Sequence, residues 1–168
     1  IGWKGHVKEL ESLQYSHHDE KEVDKLLKEH QIARKKPLII LCPGTAESAK
    51  SRMWSADKWA QLADDLVQKR KATVAFIGTQ DEEEAVSGII RQAKNSEKVV
   101  NLAGSLSVKQ LFCLEEKADL VISNDSGPMH IGQAMKTKTI GLFGPNLPVR
   151  FAPFGKFGVA IYKGEVCE

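Results

Sequence analysis

Leu120-Val121-Ile122-Ser123-Asn124 runs directly into Asp125-Ser126-Gly127-Pro128-Met129-His130, and this stretch decides the fold. Its first five residues are a short, mainly apolar run, the pattern of a strand covered by helices on both faces. Pro128 suits the first turn of a helix, where its missing N–H costs nothing, and Gly127 lets backbone approach a ligand closely. The stretch therefore predicts a strand over Leu120–Asn124 and a helix over Pro128–Met135. Free N–H groups of Ser126, Gly127, Met129 and His130 then point at one spot with the helix dipole behind them, an anion site that suits a phosphate. Ser126 adds a hydroxyl and His130 a donor. Asp125 is a poor neighbour for a phosphate; it either accepts from sugar hydroxyls or fixes the loop. The same spacing also fits a plain strand–turn–helix in which Asp or Ser is a cap.

Outward from this centre the alternation continues in both directions. Leu38–Cys42, Thr73–Ile77, Val99–Leu102, Thr139–Phe143 and Val159–Tyr162 read as further strands. Helical patterns lie between them at Ala56–Arg70, Asp81–Asn95 and Val108–Ala118. Strands alternating with helices are the signature of βαβ units, so the fold class is α/β, a Rossmann-like parallel sheet with helices on both faces. Ser55 is placed to cap Ala56–Arg70, with Trp54 and Trp59 positioned as a hydrophobic staple, and Ser107 with Gln110 forms a capping box. Trp59, Leu62, Ala63, Leu66 and Val67 should face the sheet. Residues 1–36 read as a linker with a charged packing helix near Asp19–His30, and residues 37–168 as the Rossmann-like domain. Both ends read as cut from something larger.

The bulk numbers exclude several classes. A chain of 168 residues fits one domain with a real core. Lys and Arg number 24 against 22 Asp and Glu, a net charge of +2, which gives no electrostatic case for nucleic acid. No apolar run approaches the ~18 residues that span a bilayer. Cys42, Cys113 and Cys167 are an odd set without CxxC spacing, so they read as free thiols of a reducing, cytoplasmic compartment, with no metal site. Neither GxGxxG nor GxxxxGK[ST] occurs.

In an open α/β sheet ligands bind beyond the carboxyl ends of the strands. Besides the central stretch, three such loops draw attention. Pro43-Gly44-Thr45, followed by Lys50 and Arg52, offers a hydroxyl and positive charge to a pyrophosphate; Arg52 would stabilise a leaving diphosphate. Alone, it could equally be a solvated surface loop. Glu82, at the end of the second strand, is placed for ribose hydroxyls, although any helix N-terminus favours acidic residues. Phe143-Gly144-Pro145-Asn146 turns the chain over the site.

Taken together and in this order, Pro43-Gly44-Thr45 with Arg52-Met53-Trp54, Gly78 with Glu82, Asn124 through His130, and Phe143-Gly144-Pro145 resemble the C-terminal domain of the family 9 glycosyltransferases, the ADP-heptose:lipopolysaccharide heptosyltransferase family. The resemblance covers roughly residues 38–146. It implies the C-terminal half of a GT-B enzyme performing an inverting, metal-independent transfer of a heptose-type sugar from an ADP-sugar to a lipopolysaccharide core acceptor, at the inner face of the membrane. The ADP-sugar is then a substrate and no cofactor is implied. By position, Thr45 and the Ser126–Gly127 backbone would hold phosphates, Glu82 the ribose and Asp125 the donor sugar, with His130 beside the phosphates. Arg52 stands where the family usually has lysine, which keeps the charge and alters the geometry. The general base is expected in an N-terminal acceptor domain outside this chain, so the fragment alone should bind donor without turning it over. Two other readings stay open: another GT-B or epimerase-like sugar-nucleotide enzyme, and a non-catalytic nucleotide-binding or scaffold domain.

Overall fold

The computed structural model describes residues 10–32, 35–45, 50–51, 53–144, 148, 152–153 and 156–162. Six strands form one parallel sheet: β1 (Leu38–Cys42), β2 (Thr73–Phe76), β3 (Val99–Asn101), β4 (Leu120–Asn124), β5 (Thr139–Phe143) and β6 (Gly158–Tyr162). Their order is β3-β2-β1-β4-β5-β6. Among the described residues five α-helices accompany them: α1 (His17–Glu29), α2 (Ala56–Arg70), α3 (Glu83–Gln92), α4 (Val108–Lys117) and α5 (Gly127–Ala134). The α/β expectation holds, with all six strands and five helices within a few residues of their predicted places.

Alternate residues of each strand feed two core layers, as the period of a strand requires. Leu41 pairs with Phe76 on one side and Ile122 on the other, and all three join the layer under α2 and α3. Ile40, between Ala75 and Val121, faces the opposite layer under α1 and α4. β1 is buried at every residue. Fully burying a large apolar side chain is worth about 1.5–3 kcal/mol, so Trp59, Phe76 and Ile40, all 0% exposed, anchor the two layers.

The helix boundaries follow local chemistry. α1 starts two residues before its predicted place because Ser16 and Asp19 form a reciprocal capping box. It packs on α4 through Lys117, whose ammonium reaches Glu20 at 3.2 Å and Asp24 at 3.0 Å, and through a Tyr15–Glu116 hydrogen bond. The helix predicted over Asp81–Asn95 is shorter: a 3₁₀ turn covers Gln80–Glu82, and α3 ends at Gln92. The Asp64 carboxylate takes the N–H groups of Lys94 and Asn95 at 2.9 and 2.8 Å, drawing the chain out of the helix. Burial raises the Asp64 pKa, but these bonds outweigh it and hold the carboxyl below its usual range. Ser55 does occupy the N-cap of α2, yet its side chain makes no cap bond. The Asp57 carboxyl is held below its usual range, with the nearby Ser55 side chain as the largest cause. The Trp54–Trp59 staple is present, edge to face at 5.4 Å.

Connections leave β1 and β4, adjacent in the sheet, for opposite faces: β1 leads to α2 and β4 to α5, which packs with α4. The loops after these strands therefore part, and a crevice opens between them at the carboxyl edge.

Candidate functional site

A cavity of about 580 Å³ lies at this edge, bounded by the ends of β1, β2 and β4 and by the starts of α4 and α5. A second depression, about 440 Å³, lies at the amino edge and gathers Lys36, Lys71 and Lys98. Helices α1 and α2 end there, beside His30 and Lys71, and cations are the ordinary complement of helix C-termini. The carboxyl-edge cavity brings together the starts of α4 and α5, hydroxyls and apolar side chains.

Thr45, Glu82, Ser126 and Gly127, four of the seven residues singled out in the sequence, line this cavity. Asp125 and His130 do not line it: Asp125 is 5% exposed and engaged within the protein, and His130 is exposed on the first turn of α5. Arg52, Pro145 and Asn146 lie outside the described residues. Cys42 and Cys113 are buried, and burial pushes both thiols up, so they are packed thiols in the core.

Three helix starts face the cavity, and they differ in one decisive respect. Thr79 and Glu82 satisfy the first reciprocally. Ser107 and Gln110 satisfy the start of α4. Ser126 is the N-cap of α5 but makes no side-chain cap bond. Its hydroxyl lies 3.1 Å from Ser123 Oγ, and Ser123 gives its single proton to the carbonyl of Asn124 at 2.7 Å. Ser126 therefore donates to Ser123 and offers lone pairs outward. Met129 N–H is also spent, on the Ser126 carbonyl at 3.2 Å. The anion donors expected of this turn thus reduce to backbone N–H groups, for which the N-cap side chain is not an acceptor. A Cβ built at Gly127 meets nothing within 4 Å, so its missing side chain leaves space open to the cavity.

Glu82 has two occupations. Its Oε2 accepts from Thr79 N–H at 2.7 Å and from the Thr79 hydroxyl at 3.1 Å, the capping role any acidic residue could play here. Oε1 lies against Gly44, where a Cβ would overlap it, and a Cβ at Gly78 would stand 3.0 Å from Oε2. Gly44 and Gly78 together form a slot for one carboxylate. Leu106, Val108, Leu111 and Ile77 line the same cavity. The β3–α4 loop that supplies Leu106 and Val108 was not singled out in the sequence; an apolar residue at the first position of a capped helix was the available sign, and Val108 is 66% exposed.

Comparison with known proteins enters here. The family model for glycosyltransferase family 9 (heptosyltransferase) matches residues 1–167. Lipooligosaccharide heptosyltransferase 2 of Haemophilus influenzae is 35% identical over 149 residues, 86% of this chain and 42% of that protein. Among solved structures, a family 9 glycosyl transferase from Veillonella parvula superposes with a TM-score of 0.82 at 22% identity, covering 90% of this chain and 42% of that one. The Escherichia coli ADP-heptose lps heptosyltransferase II gives 0.76 at 25% identity over 89% of this chain and 44% of its own. The chain thus spans about two fifths of the relatives it matches. Among the described residues, no helix is long and apolar enough to cross a membrane.

Proposed function

The chain belongs to glycosyltransferase family 9, and from that premise we propose that it is the donor-binding domain of a heptosyltransferase acting from an ADP-sugar onto a lipopolysaccharide core acceptor. The observation that carries this reading is the start of α5, where Ser126 makes no side-chain cap bond, opening into a cavity that also holds the Glu82 slot. The diphosphate sits on the backbone N–H groups of Ser126 and Gly127, where the helix dipole favours negative charge. Thr45 adds its hydroxyl from the β1 loop. Arg52 neutralises the charge that grows on the leaving diphosphate as the glycosidic bond breaks. Glu82 Oε1 accepts from a ribose hydroxyl, and the base lies against Ile77, Leu106, Val108 and Leu111.

The transfer is inverting and metal-independent on this reading. An acceptor hydroxyl attacks the anomeric carbon from the face opposite the diphosphate, while a general base takes its proton. That base and the acceptor site are assigned to the partner domain of the GT-B architecture, and the donor domain binds nucleotide without turnover. Asp125 acts by shaping the turn, and His130 borders the diphosphate from outside the cavity. The enzyme works on the cytoplasmic side, in peripheral contact with the inner face of the membrane.

Calorimetric titration with ADP and UDP tests this. ADP binding that falls about tenfold in Glu82→Ala (about 1.4 kcal/mol) supports it. Preference for UDP points to a different sugar-nucleotide enzyme, and binding of neither nucleotide to the full-length protein sinks the donor site.

A further inference from the structure

We propose that Asn124 is a positioning residue that ties Pro43 and Trp54 to the end of β4, so that the donor diphosphate meets a preformed edge beside Thr45. The link to the diphosphate rests on the function proposed above; the lock itself rests on geometry.

Asn124 is the last residue of β4 and 0% exposed. Pairing between β1 and β4 ends with Cys42 opposite Ser123. One step further, Pro43 would face Asn124, but β1 has already left the sheet. The Asn124 side chain replaces the lost ladder bond: its Nδ2 donates to the Pro43 carbonyl at 2.6 Å. Its Oδ1 accepts from the Trp54 N–H at 3.2 Å. One amide thus holds both ends of the loop between residues 43 and 54, next to the staple that roots Trp54 on Trp59.

The partners dictate the amide's orientation, since a carbonyl needs a donor and an N–H needs an acceptor. No similar side chain performs both tasks. Aspartate keeps the acceptor but sets a second oxygen against the Pro43 carbonyl, and alanine leaves one buried and one part-buried backbone group without this partner. Ser123 and Ser126, one residue before and two after, fix the backbone around the same point. The start of α5 and the β1 loop, the two sides of the diphosphate site, are therefore registered to each other through Asn124. A loop fixed before binding spends less of the binding energy on ordering.

The test uses the full-length protein, with Asn124→Asp and Asn124→Ala as variants. Amide hydrogen exchange is read peptide by peptide, and the ADP dissociation constant is measured at a temperature where each variant is folded. The expected result is exchange over residues 43–55 at least tenfold faster with the central strands still protected, and an ADP dissociation constant raised about tenfold. Asn124→Ala keeps the test valid if the charge in Asn124→Asp unfolds the protein. Folded variants with unchanged exchange over 43–55 overturn the lock. Faster exchange with unchanged ADP affinity overturns its link to the donor. A wild-type protein that binds no nucleotide overturns the donor reading, and the exchange data then decide the lock alone.

Discussion

Glu82 Oε1 lies directly against the backbone of Gly44, two residues from different βα loops brought together at the carboxyl edge. A methyl group at Gly44 would overlap the carboxylate, and a flexible side chain yields before the backbone does. Gly44→Ala should therefore swing Glu82 out of its slot, breaking the proposed ribose contact and loosening the Thr79 cap. The expected outcome is ADP affinity reduced about tenfold, with stability lowered by roughly 1 kcal/mol or less, the worth of one cap. Calorimetry beside a thermal melt checks it; unchanged affinity removes Glu82 from the site.

Gly127 gives the opposite contrast between binding and folding. No protein atom lies within 4 Å of a Cβ placed there, so the fold leaves room for a side chain. Gly127→Val should fill the space over the α5 N–H groups and cut ADP affinity more than tenfold. Stability should hold or rise by about 0.4–1 kcal/mol, since replacing glycine restricts the unfolded chain. A melt and a titration on the same sample decide it. Weak binding together with a fallen melting temperature would instead mark Gly127 as a structural glycine.

The sheet and its helices were legible because their signals are local: apolar runs of strand length, capping boxes, a tryptophan staple. Four of the cavity's residues were legible for a related reason, since hydroxyls, glycines and acids at the ends of apolar runs stand out. Asn124 and the Gly44–Glu82 contact were not, because each depends on which loops the sheet sets side by side. The early end of α3 arises from the Asp64 carboxylate, thirty residues away in sequence, taking the backbone N–H groups of Lys94 and Asn95. His130 was expected at the phosphates from its place in the first turn of α5. In the structure it is exposed on that turn and is not among the residues that line the cavity.

Trp54 and Asn124 share the anchoring of the β1 loop, and they should separate on mutation. Trp54→Ala deletes the edge-to-face contact with Trp59 at 5.4 Å but keeps the backbone N–H that Asn124 accepts. The expected cost is about 2 kcal/mol, from an aromatic pair worth about 0.5–1.5 kcal/mol plus the half-buried ring area. For a chain of this size that lowers the melting temperature by roughly 4–8 °C. ADP affinity should change less than threefold, because the loop ends remain hydrogen-bonded. A larger loss of affinity than of stability would make Trp54 the stronger anchor.

Glu115 supplies a pH-dependent prediction. It sits on α4 at 0% exposure, and neither carboxylate oxygen has a hydrogen-bond partner. Burial pushes its carboxyl well above the usual range. The native state therefore retains a proton that the unfolded chain releases. Stability from this group is complete below the unfolded pKa of about 4.3, and it is lost as pH rises toward the folded value. At pH 7.5 the native protein holds a buried acid that has lost this advantage and makes no hydrogen bond in return. Glu115→Leu keeps the volume apolar and removes the cost, so its melting temperature at pH 7.5 should exceed wild type by several degrees, about 1–3 kcal/mol. The gap should narrow toward pH 4.5, close to the unfolded pKa, where the unfolded carboxyl also begins to take up the proton. Glu115 does not line the cavity, so ADP affinity should stay unchanged. Melting curves of both proteins from pH 4.5 to 8.5 check the sign: parallel curves would mean that Glu115 is satisfied in solution, and a variant less stable at every pH would mean that its carboxyl is held by a buried water.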